Sequence, residues 1–112
     1  MIVVSNASPL TNLAAIGHFQ LLRDVYAKLQ IPNAVWEELN AGGQRWPGRE
    51  EVAAADWITR HALADEPLVT ALKADLDAGE AESIALAMRL EAALLLLDRL
   101  PARPPPEWDR LA

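Results

Sequence analysis

The chain has 112 residues, 52% of them hydrophobic and 23% charged, with a formal net charge of −6. That length supports one domain with one core, and the composition lies outside the low-hydrophobicity regime of disordered chains. Cysteine is absent, which excludes a disulfide framework and a thiolate metal site, and the acidic balance argues against a broad basic surface that grips phosphates by charge alone.

Ile2 to Val4 is a short apolar run that ends at Ser5-Asn6, and Ser8-Pro9 reads as a helix cap followed by proline at the first helical position. Leu10, Leu13 and Ala14 continue at helical spacing to Gly17, and Phe19, Leu21, Leu22 and Val25 predict a second short helix. Leu29 to Ile31 is expected as a strand. Pro32 then opens a helix carrying Val35, Trp36 and Leu39, closed by Gly42-Gly43.

Arg49 to Ala55 predicts a turn or two of helix, and Trp57-Ile58-Thr59 a strand. Leu68, Ala71, Leu72 and Leu76 share a helical stripe, Gly79 interrupts it, and Glu80 to Glu91 forms a further helix leading to the apolar run Ala93 to Leu97. Pro101, Pro104, Pro105 and Pro106 forbid a helix interior or a central strand in the tail. Short apolar runs alternating with helical patterns imply βαβ units, hence an α/β fold with a parallel sheet of about four strands flanked by helices. The expected division is a domain over residues 1–100 and an irregular Pro-rich tail over 101–112. With no basic leader and no stretch of membrane-spanning length, the expectation is a cytoplasmic protein without a membrane segment.

In open parallel sheets ligands gather outside the carboxyl ends of the strands, which directs attention to Asn6 and Asp98, each following an apolar run. On the helix after Pro32, Glu38 lies next to Leu39 and three residues beyond Val35, so it is favoured over Glu37 as the inward carboxylate. On the later helix Glu80 shares a face with Ile84, Ala87 and Met88, which favours it over Glu82. Each position also has an ordinary structural use. Asp77-Ala78-Gly79-Glu80 satisfies capping-box logic, Ser8 suits a cap, and Asn6 and Asp98 suit turns. Trp36, Trp46 and Trp57 offer an aromatic platform for bases, although packing is the commoner use of scattered tryptophans.

Taken together, Val3 to Leu10, Ile31-Pro32 through Val35-Trp36-Glu37-Glu38-Leu39, Gly79-Glu80-Ala81-Glu82-Ser83-Ile84-Ala85-Leu86-Ala87, and Leu94 to Arg99 resemble in order and spacing a PIN domain, and look closest to a prokaryotic branch related to VapC-type toxins. The resemblance implies a three-layer fold and a nuclease that holds Mg²⁺ or Mn²⁺ through Asn6, Glu38, Glu80 and Asp98, with Ser8 as an auxiliary polar ligand and Glu38, Glu80 and Asp98 as the catalytic acids. It further implies an RNA substrate, a homodimer and a small antitoxin partner. Two departures accompany it. The family's first acid is typically aspartate where this chain has Asn6, and the family's last strand and helix are expected to be missing, which would leave Leu94 to Leu97 at an open edge. Two functions follow: a divalent-metal-dependent endoribonuclease of toxin type, or a degenerate, non-catalytic remnant that binds a partner protein or nucleic acid.

Overall fold

A computed structural model describes residues 1–41, 46–63 and 66–97. Ten elements follow in order: β1 (Val3–Ser5), α1 (Ala7–Ala15), α2 (Gln20–Tyr26), β2 (Leu29–Pro32), α3 (Asn33–Leu39), α4 (Arg49–Ala54), β3 (Ile58–His61), α5 (Pro67–Leu72), α6 (Ala78–Arg89) and β4 (Leu94–Leu96). The strands form one parallel sheet in the order β3-β2-β1-β4. This is the expected α/β architecture. The expected helix end at Gly42-Gly43 and the tail 101–112 lie outside the described residues, and among those described no helix is long and apolar enough to cross a membrane.

The alternation of the strands divides the core into two layers of packing. From β1, Val3 joins a cluster with Leu10, Phe19, Leu22, Leu29, Ile31, Val35, Leu39, Val52 and Trp57, while Val4 joins a second with Leu63, Val69, Ala81, Ala85 and Leu86. Helices α1 to α4 thus supply one cover and α5 and α6 the other, the three-layer arrangement that parallel crossovers require. In β4, Leu96 packs toward the first cluster and Leu95 toward the second, but the strand lies at the edge of the sheet, and Leu94 and Leu97 remain exposed.

Several local expectations shift. The first helix begins at Ala7 and Asn6 occupies the cap position, so Ser8 is no cap and Pro9 falls at the third helical position. Proline is tolerated there because none of the first four helical N–H groups has a partner within the helix. Trp57 precedes β3 instead of starting it, and its indole turns inward against Phe19, with ring centroids 5.5 Å apart. On α5 the buried stripe runs through Val69, with Leu72 and Leu76 packed beside it, whereas Leu68 is exposed. Gly79 does not interrupt; it is the second residue of α6 and is buried there.

Candidate functional site

Helices α3 and α6 cross in opposite senses, and the two ends of their contact are chemically unlike. At the start of α3, Ala34 N–H donates to Glu82 Oε1 at 3.3 Å. Glu82 is only 6% exposed, and Glu80 is part-buried with its Oε2 shielded from solvent, so α6 turns both acids inward where the sequence pattern favoured Glu80 alone, while Met88, assigned to the inward face, is exposed. The apolar-neighbour rule missed Glu82 because its surroundings include the backbone of α3, whose first-turn N–H groups need acceptors. A carboxylate there satisfies an orphan donor across 48 residues of sequence, and nothing in the local pattern of α6 announces it.

At the far end of α3, Glu38 meets the first turn of α6. Although the residue as a whole is exposed, its carboxylate rests on Gly79: a Cβ at that position would stand 2.9 Å from the carboxylate carbon and 3.3 Å from Oε2. Gly79 is therefore needed for close approach and not for a turn. The Glu38 carboxyl is pushed above its ordinary range, first by partial burial, then by the negative charges of Asp77 and Glu80, while a hydrogen bond from Gly79 N–H pulls the other way. Asp77 is the cap of α6, and its Oδ1 accepts from Glu80 N–H at 2.8 Å, so the capping half of the expected box is present. Three carboxylates from two helices therefore share one end of the α3–α6 contact. Like charges so placed favour either a proton or a cation between them.

Asn6 stands at the carboxyl end of β1. Its backbone N–H donates to Leu96 O at 3.0 Å, which extends the ladder to β4, and Ser5 Oγ donates to Asn6 O at 3.0 Å. The side chain is 5% exposed, and its Oδ1 is buried without a hydrogen-bond partner. An amide oxygen buried in this way is costly unless something completes it. Just beyond, Ala7, Ser8, Thr11 and Asn12 of α1 line a cleft of about 400 Å³ together with Glu38, Leu39, Ala41 and Trp46. Ser8 and Glu38 are thus brought to one cavity, and Glu38 and Glu80 to one charge cluster. Asp98, two residues past β4, lies outside the described residues. Among the described residues no three Asp, Glu or His side chains converge closely enough to hold a metal ion on their own.

The donor chemistry still suits a hard cation. Every candidate supplies oxygen, one of them is a buried amide oxygen with no partner, and the carboxylates repel one another. His61 does not belong to this group: its Nε2 is 2.7 Å from Gln30 Oε1, and its pKa is lowered by burial and by the Arg89 charge.

A parallel four-stranded sheet between two helical layers, with three acids at one end of the α3–α6 contact, defines a three-layer α/β domain. A family model described as a PIN domain matches residues 2–105, and the chain belongs to that family. A nuclease-type function in general comes with the membership. Searches of curated proteins and of solved structures each return no match.

Proposed function

We propose that this protein is a divalent-metal-dependent endoribonuclease of the VapC toxin type, with its working unit in residues 1–100. The observation that carries the reading is the crowding of the Glu38 carboxylate by the negative charges of Asp77 and Glu80 within a chain of the PIN family. Asn6, Glu38, Glu80 and Asp98 would hold Mg²⁺ or Mn²⁺, with Ser8 as an added oxygen donor. A dication bound there lowers the pKa of a coordinated water and stabilises charge developing on the phosphate. The chain's own residues do the rest. Gly79 admits the Glu38 carboxylate to the first turn of α6, and the Asp77 cap holds that turn so that Glu80 faces the same region.

Asn6 contributes an oxygen without a charge, so the site holds its ion more weakly than an all-carboxylate set, and metal dependence is expected at high rather than trace concentration. An RNA target, a small antitoxin that covers the site, pairing into a homodimer and a cytoplasmic location complete the proposal. A second reading, a non-catalytic binding module, draws on the same Asn6 and on the absence of a three-residue metal group among the described residues.

Metal titration and RNA cleavage separate the two. At a metal concentration about 100 times its Kd, binding contributes about 2.7 kcal/mol, a Tm increase on the order of 10 °C for a domain of this size. Glu38→Ala and Asp98→Ala should each abolish that increase together with cleavage. No Tm change with either ion, and no cleavage of RNA by the parent protein, would leave the binding module as the function.

A further inference from the structure

The three tryptophans of the described residues have different fates. Trp57 is 8% exposed and packs against Phe19 in the core. Trp36 is half-buried beneath Arg60, whose guanidinium carbon lies 4.6 Å from the ring centroid. Trp46 alone of the three is exposed, at 44%, and it lines the cleft that Glu38 and Ser8 also line.

Its exposure is not slackness. Arg49 N–H donates to Trp46 O at 3.1 Å, closing a turn whose third residue, Gly48, has φ of 96°. A Cβ on Gly48 would meet Leu10 O at 3.1 Å, so the turn is pressed onto α1 at a point where only glycine fits comfortably. Arg49 Nε donates to Asn40 Oδ1, and Asn40 Nδ2 donates to Trp36 O at 2.8 Å, which ties the same turn to the end of α3. The molecule thus holds the backbone of a turn that presents a large apolar ring to water, against the hydrophobic tendency to bury it. A held, exposed aromatic is the arrangement in which a ligand ring completes the burial.

The cleft suits a flat heterocycle. Its volume, about 400 Å³, falls within the range of small-ligand sites, and its lining is chiefly apolar with a few polar groups in Ser8, Thr11, Asn12 and Glu38. We infer that Trp46 forms a base-binding subsite, in which one nucleobase of single-stranded nucleic acid stacks on the indole while Thr11 and Asn12 meet its polar edge, setting the neighbouring phosphate toward Glu38. The inference rests on the nuclease reading for the role of that phosphate, but base binding itself needs no metal. Stacking on an aromatic ring is tolerant of base identity. The subsite therefore selects an unpaired nucleotide and not a sequence.

The test uses the full chain in EDTA. Nucleoside 5′-monophosphates are titrated while the indole N–H signals of the four tryptophans are followed by NMR. Trp46→Phe removes one signal and so assigns it, and the backbone amides of Thr11 and Asn12 report binding in the variants. The Trp46 signal should shift saturably with the nucleotides and stay in place with ribose 5-phosphate. Trp46→Ala should weaken binding by roughly tenfold or more, whereas Trp46→Phe should keep it within a few fold, in line with stacking on alanine-substituted and aromatic positions. An unmoved Trp46 signal, an equal response to ribose 5-phosphate, or unchanged affinity in Trp46→Ala would overturn the subsite. Metal-dependent cleavage alongside an unmoved signal sinks the subsite and spares the nuclease, while saturable base binding by a protein that cleaves nothing does the reverse.

Discussion

The two ends of the α3–α6 contact show how one residue type serves two purposes. Glu82 and Glu38 both leave one helix for the other. Glu82 finds a backbone donor at the start of α3 and is buried, whereas Glu38 arrives at a turn already holding two carboxylates. Burial with a donor makes an acid structural. Crowding with like charge, beside an open cleft, leaves an acid that gains by taking up a proton or a cation. The contrast separates an acid that its neighbours satisfy from one that its neighbours crowd with like charge.

Removing Glu82 should have the larger effect on folding. Glu82→Ala leaves the Ala34 N–H without its acceptor, and loss of a buried partner costs about 1–3 kcal/mol. A urea melt should show a lower midpoint with an unchanged slope. A midpoint equal to that of the parent would mean that the Glu82 contact is incidental and the comparison unsound.

Glu38→Gln should act in the opposite direction. A carboxyl whose pKa is raised by folding binds its proton more tightly in the folded state, so its charged form opposes folding. Stability is therefore lost as pH rises from the ordinary value of 4.5 through the folded one, and the penalty persists above it. The variant should melt above the parent at neutral pH without metal and match it below pH 4.5. Thermal melts across that range decide the matter, and a variant less stable than the parent at neutral pH would remove the charge-crowding argument.

The smallest change sharpens the geometry. Gly79→Ala gains about 0.5–1 kcal/mol of helix propensity, offset by the need to move the Glu38 carboxylate out of the methyl group's place. Net stability should change by less than about 1 kcal/mol, while the midpoint of the Mg²⁺ or Mn²⁺ titration moves to higher concentration. Unaltered metal response would show that the carboxylate does not need its seat on Gly79.

Much of the layout was legible without coordinates. The strand-to-helix alternation, the cap at Asp77 and the near-continuous apolar runs all reflect local preference or a period of two or 3.6, and such signals survive in a single chain. Glu38 was legible for the same reason, since its place relative to Val35 and Leu39 follows from helical geometry. The family resemblance also lies in the sequence, and the match over residues 2–105 bears out the PIN family.

Contacts between distant segments were settled only by the fold. That Glu82 as well as Glu80 turns inward depended on the first-turn amides of α3, and why residue 79 is glycine depended on a carboxylate from α3. Trp36, Trp46 and Trp57 are the same letter in the sequence; an arginine, a cleft and a phenylalanine supplied by other segments gave them three environments. A linear pattern records what a residue prefers among its neighbours along the chain, whereas the partner that meets a side chain across the sheet is set by how whole elements pack.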